Sequence, residues 1–182
     1  MDDISRELGI SKKTLYLYVT SKTDLVEKIL RYHSDISDDM MCCQVDPSKN
    51  AIDILMGISR VVSQNMQEFS TNITFELRKF YPEIFRKFLD KKRETVFEGI
   101  KFNLQQGIKE GLYRDDLDIE LIARFYIQKL EDVHENDFFA SLNYSFEKVF
   151  LVMFENHIRG ITNAKGLEYF EKKKAEILTN KD

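Results

Sequence analysis

Residues 2–25 read Asp2-Asp-Ile-Ser-Arg-Glu-Leu-Gly-Ile-Ser-Lys-Lys-Thr-Leu-Tyr-Leu-Tyr-Val-Thr-Ser-Lys-Thr-Asp-Leu25. Ile4 and Leu8 are four apart and share one helical face. Gly9 follows, where a left-handed residue can end a helix without steric cost. Ser11 has the chemistry of an N-cap, its hydroxyl accepting a free amide of the next turn. Leu15 and Val19 repeat the spacing of four, and Ser21 can cap a third helix carrying Leu25 and Ile29. Two short helices joined by a tight glycine turn, with a third behind them, describe a helix-turn-helix.

The opposite face of the second helix carries Lys12, Lys13, Thr14, Tyr16 and Tyr18, and no acid occurs between Ile10 and Thr23. With Lys22, this makes a local positive window in a chain of net charge −4. Lysines and a helix N-terminus suit phosphates, and Lys, Thr and Tyr at that end can reach base edges. The plainer alternative is a solvated face on a small helical bundle.

The elements Asp3-Ile4-Ser5, Leu8-Gly9-Ile10-Ser11-Lys12-Lys13-Thr14-Leu15-Tyr16, Tyr18-Val19, Ser21-Lys22 and Leu25 resemble the helix-turn-helix of TetR-type (AcrR-type) bacterial transcription regulators. The resemblance covers roughly residues 2 to 30. It implies an all-helical, dimeric regulator with a small DNA-binding domain and a larger effector-binding domain. Carried over by position, Lys12, Lys13, Thr14 and Tyr16 would face the major groove, and Ser11, Tyr18 and Lys22 would hold phosphates. The family has a further helix before this motif, which the chain read from Met1 does not show. Ile4, Leu8, Leu15, Val19 and Leu25 are expected to converge on such a helix. Without it, other parts of the chain or a neighbouring copy are expected to hold the motif.

Composition sets the wider frame. The 182 residues are 43% hydrophobic and 32% charged, enough for a real core in an ordinary helical protein. Two prolines and seven glycines argue for long helices and short connections, and 14 Phe with 8 Tyr make the interior aromatic. The acidic balance keeps any DNA contact local. Asp2 and Asp3 replace the basic start of a signal peptide, and Val149 to Phe154 is too short an apolar run to span a bilayer. Cys42 and Cys43 are adjacent, poorly placed for a disulfide and too few for a zinc site, so a reduced cytoplasmic setting fits.

Along the chain, the spacing predicts a helix from Leu25 to Met41 with Leu25, Ile29, Tyr32 and Ile36 on one stripe. Asp46-Pro47 reads as a helix start, and a domain boundary is placed there, giving domains 1–44 and 45–182. A helix from Ser48 to about Phe69 is apolar on most faces and should be central. Helices follow at 72–81, 83–110, 118–133, about 141–160 and 163–180, with Pro82 ending the first of these and Asp118 capping the fourth helix of the second domain. The fold class is all-α. Lys91 to Arg93 is basic, though a solvated face or bridges to nearby Glu account for it.

No catalytic constellation is present: there is no Gly-rich phosphate loop, no His-Glu-x-x-His, and His33, His134 and His157 are scattered. An enzyme is therefore disfavoured, with no cofactor and no metal expected. The helices at 118–133 and 141–160 are apolar beyond what their own domain needs and would pair across a twofold axis as a homodimer. An effector pocket is expected among the other helices, with Met66, Phe69, Phe75, Phe97, Tyr126 and His157 as candidates. The expected function is a ligand-responsive repressor that binds a palindromic operator as a dimer. The alternative is a helical ligand-binding or interaction module that does not bind DNA.

Overall fold

The computed structural model describes residues 1–42, 46, 48–65, 71–135 and 144–179. Its helices are α1 (Asp2–Glu7), α2 (Lys12–Tyr18), α3 (Lys22–Cys42), α4 (Ala51–Asn65), α5 (Thr71–Phe80), α6 (Pro82–Lys109), α7 (Ile119–Glu135), α8 (Phe146–Ile161) and α9 (Ala164–Thr179). Among the described residues the β contact is a single antiparallel bridge, Tyr113 to Thr162. Cys43, Pro47, Met66, Phe69 and the segment expected to open a helix at 141 lie outside the described residues.

The chain divides into two compact units that interleave in sequence. One comprises Met1–Asp39 with Thr71–Lys92, the other Met40–Ser70 with Arg93–Asp182. α5 and the start of α6 therefore group with the N-terminal helices.

In the first unit, α1 stops at a turn whose backbone bonds explain the glycine. Gly9 has φ +65°. Its N–H donates to the Arg6 carbonyl at 3.1 Å, and the Ile10 N–H donates to the Ser5 carbonyl at 3.0 Å. This pair of bonds needs a left-handed residue between them. A side chain there would meet no neighbour, so the requirement is conformational and not steric. Leu15, Val19, Leu30, Leu77 and Phe85 form the buried apolar positions. Phe85 also stacks with Phe88, and the Arg78 guanidinium lies 5.9 Å from its ring centre.

Of the residues expected to converge beside the motif, Leu15 and Val19 are buried and Ile4 and Leu25 half-buried, while Leu8 is 60% exposed. The α3 stripe also differs from the simple reading. Among the described side chains of this helix Leu30 is the buried one, and Ile29, Tyr32 and Ile36 are exposed. A helix apolar on two sides offers two candidate inner faces, and spacing alone does not choose between them.

In the second unit, Ile52 and Leu55 of α4, Ile100 and Leu104 of α6, Ala123 and Tyr126 of α7, Phe154, Ile158 and Ile161 of α8, and Phe170 of α9 make one core. On α6, Ile100 and Leu104 are buried in this core, and Val96 and Ile108 pack against it. The start of α4 departs from the Asp46-Pro47 reading. Asp46 instead accepts the Ser48 N–H at 2.8 Å, and Asn50 caps α4 through the Asp53 N–H at 2.9 Å. Glu110 adds a second cap, taking the Ala51 N–H at 2.9 Å.

The corner after α6 ties four elements together. Gly111 has φ +68° and ends α6 with the same pair of bonds seen at Gly9. Tyr113 then folds back over Gly107, its hydroxyl donating to Asn103 Oδ1 at 3.0 Å while Asn103 Nδ2 donates to the Ala51 carbonyl at 2.8 Å. Asn163 caps α9 and donates to the carbonyls of Gly111 and Tyr113. Every buried polar group in this knot has a partner, which such burial requires.

Candidate nucleic-acid interface

Seven residues are few for a free helix in water, so α2 depends on its caps and on tertiary contacts. Ser11 supplies the N-cap, its Oγ accepting the Thr14 N–H at 3.0 Å, and Ser21 does the same for α3 through the Asp24 N–H at 3.0 Å. Leu15 and Val19 face inward. Burying two such side chains contributes roughly 1.5–3 kcal/mol each. That fixes which side of α2 faces solvent.

The solvent side carries the residues read from the sequence. Ser11, Lys12, Lys13, Tyr16, Tyr18 and Lys22 are exposed, and Thr14 is half-buried, with its Oγ1 2.8 Å from Ser11 Oγ. Tyr16 and Tyr18 are large side chains at 44% and 71% exposure, and Leu17 between them is at 77%. Leu17 sits off the Leu15–Val19 stripe, so the apolar spacing of four does not single it out. Its outward position makes it a further candidate for contact with an apolar group such as a thymine methyl.

The lysines differ in their surroundings. Lys12 Nζ lies 2.9 Å from Asp2 Oδ1, so α1 and α2 are bridged beside the N-terminus of α2. A hydrogen bond and the attraction of the Lys12 ammonium hold the Asp2 carboxyl below its usual range, and Asp2 raises Lys12 in turn. Lys13 and Lys22 have no ion pair among the described residues, which leaves their charges available to a polyanion.

The effector candidates divide between the two units. Phe75 belongs to the first and is exposed. Phe97, Tyr126 and His157 belong to the second. Tyr126 and His157 meet, with ring centres 4.6 Å apart at 55°. His157 Nε2 is buried without a hydrogen-bond partner among the described residues, and burial, helped by the nearby Lys129 charge, pushes the imidazole down to about 4. Burial likewise raises the Tyr126 phenol above its usual value. Phe97 packs against the same core. Its ring is approached by Lys101 Nζ at 4.8 Å and by the Arg124 guanidinium at 5.0 Å, and it lines a surface cleft of about 390 Å³ with Arg93, Glu94, Arg124, Ile127, Gln128 and Glu131.

The basic run in α6 is bridged, as expected, though largely to aspartates. Lys91 reaches Asp35 and Asp38 at 3.5 and 3.7 Å, and Arg93 pairs with Glu131. No group of His, Cys, Asp and Glu among the described residues could hold a metal ion, and no described helix is long and apolar enough to cross a membrane.

An all-helical chain with a helix-turn-helix at its start and a helical second unit has the fold of the TetR-type regulators, and the likeness read from residues 2 to 30 is borne out. No family model matches the chain. The HTH-type transcriptional repressor KstR2 of Mycobacterium tuberculosis is 25% identical over 126 residues, spanning 68% of this chain and 63% of that repressor's length. The solved structure of this ketosteroid transcriptional regulator covers 88% of this chain and 83% of its own, with 22% identity and a TM-score of 0.56. A transcriptional regulator from Saccharomonospora viridis, solved in complex with choline, gives a TM-score of 0.70 at 18% identity, covering 89% and 86% of the two chains. SCO4454, a TetR-family regulator from Streptomyces coelicolor, gives 0.66 at 19% identity, covering 89% and 84%. These relatives are described as transcription regulators.

Proposed function

We propose that this chain is a DNA-binding transcription regulator that acts as a homodimer and responds to a small-molecule effector. The observation that carries this reading is the split of α2 into a buried Leu15–Val19 side and an exposed side with Lys12, Lys13, Thr14, Tyr16 and Tyr18. Lys22 and Ser11 stand beside it as phosphate contacts, Ser11 also keeping its N-cap. Residues 1–44 carry the DNA contacts in this reading, and 45–182 carry effector binding and dimerisation.

For the dimer, α7 and α8 supply the surface. Leu121 and Phe125 lie one turn apart on α7, and Leu151 and Val152 lie on α8, all exposed on large apolar side chains. Pairing these helices with a second copy covers them, and a palindromic site requires two α2 helices one DNA turn apart. For the effector, the Tyr126–His157 pair in the core against which Phe97 packs is the favoured position. A neutral imidazole with an unpaired nitrogen offers one hydrogen bond to an otherwise apolar ligand. Lys101 and Arg124 already occupy the neighbourhood of the Phe97 ring, so an uncharged or anionic effector suits this chain better than a quaternary ammonium.

The test is selection of duplexes from a random pool by the purified chain, followed by titration of the selected sequence across salt. Enrichment of a palindrome with a steep salt dependence supports the reading, and recovery of no sequence overturns it. Release by effector requires that the ligand bind the DNA-free form more tightly, and DNA must weaken the ligand by the same factor.

A further inference from the structure

α2 ends with no basic residue in its own last turn, although the last carbonyls of a helix lack partners within it. The missing charge comes from the next helix. Lys28 of α3 donates from Nζ to the Tyr18 carbonyl at 2.7 Å. The same ammonium donates to Asp24 Oδ2 at 3.1 Å. Asp24 Oδ2 accepts the Thr20 N–H at 2.7 Å and the Thr20 hydroxyl at 3.2 Å. One carboxylate and one ammonium thus bind the end of α2, the connecting turn and the first turns of α3 into a single node.

We infer that Lys28 is a positioning residue for DNA recognition, setting the angle of α2 on α3 by closing the Tyr18 carbonyl. The inference rests on the proposed DNA-binding function and concerns the same site. Three features support it. Cations at a helix C-terminus are favoured by the helix dipole, and charge-assisted bonds are stronger than neutral ones. α2 is too short to hold its own direction; the buried Leu15 and Val19 decide which side faces inward, and the Lys28–Tyr18 bond adds a polar tie at its C-terminal end. Finally, the Lys28 ammonium is committed to Tyr18 and Asp24, in contrast to Lys13 and Lys22. Its charge is therefore offset locally by the Asp24 carboxylate.

The test uses the whole chain, a duplex selected by the wild type, and a duplex of random sequence. Lys28→Met is expected to weaken the selected duplex by about tenfold or more, leaving the random duplex and the salt slope unchanged. Lys28→Arg, which keeps a donor at the carbonyl, is expected to restore most of the loss. Amide hydrogen exchange gives an arm that needs no DNA: in Lys28→Met, Val19 and Thr20 should exchange faster while Leu30 and the second unit stay protected. A fall in salt slope of about one overturns the inference, because the lysine then contacts a phosphate directly. Unchanged discrimination, unchanged exchange at Val19 and Thr20, or loss of protection at Leu30 as well also overturns it. If the wild type selects no duplex, the proposed function fails, and the exchange arm still decides whether Lys28 holds α2.

Discussion

The Asp2 carboxylate lies 2.9 Å from the Lys12 ammonium, so the first turn of α1 holds a lysine of the first turn of α2. In the proposed interface Lys12 faces a base edge, and it must leave Asp2 or share it to do so. The acid also repels phosphates that approach the same helix end. Asp2→Asn is therefore expected to raise affinity for random duplex and to steepen the salt slope by up to about one, lowering discrimination between sequences. Binding isotherms over a range of salt decide this, and an unchanged slope means that the pair has no part in recognition.

Lys22 and Tyr18 stand apart from Lys12. Lys22→Ala and Tyr18→Phe should weaken all duplexes about equally, with the salt slope falling by about one for the lysine. Tyr16→Ala should change which sequence is preferred. Competition against a panel of single-base variants separates the two outcomes, and equal sequence preference in the Tyr16 variant removes it from base reading.

The second unit makes a stability prediction at Gly107. A Cβ built there falls 2.2 Å from Tyr113 Cδ2, inside a ring that is buried and bonded to Asn103. Gly107→Ala should cost about 1–3 kcal/mol or more through overpacking. Urea unfolding followed by circular dichroism measures the loss, and a midpoint within error of wild type shows that the Tyr113 knot can shift at no cost.

His157 predicts a pH dependence. Its ordinary value of 6.5 is pushed to about 4 in the fold. Between these values the unfolded chain takes up a proton that the folded chain refuses, so stability falls as pH drops from about 6.5 toward 4. The loss from pH 7 to pH 5 is about 2 kcal/mol. His157→Phe should lack this component, which paired urea melts at the two pH values would reveal. Parallel losses in both proteins exclude His157 as the source.

Phe125 is 59% exposed on α7, one turn from Leu121. If that face pairs with a second copy, Phe125→Asp should convert a dimer to a monomer while leaving helicity unchanged. Sedimentation velocity at micromolar concentration reads the state. A dimer that survives the substitution places the interface elsewhere.

Short-range chemistry made much of this molecule legible. Gly9 and Ser11 announced the end of one helix and the start of the next, and the backbone bonds at Ser5, Arg6 and Thr14 are those that these residues predict. Asp118 capped α7 as read, through the Leu121 N–H at 3.1 Å. The α4 start was misread because Pro47 is a strong local signal, while the caps actually used are Asn50 and the distant Glu110. No local pattern announces a carboxylate that arrives from 59 residues away.

The sequence by itself determined the helical class, the turn at Gly9, the inward Leu15–Val19 pair and the cluster of polar and basic residues on the other side of α2. These follow from spacing and capping, which act within a few residues. Only the tertiary structure decided which lysines are already paired, which stripe of α3 is buried, that Tyr126 meets His157, and that Lys28 closes α2. Those outcomes depend on side chains brought together from different helices. Each helix carries more than one plausible inner face, and packing selects among them.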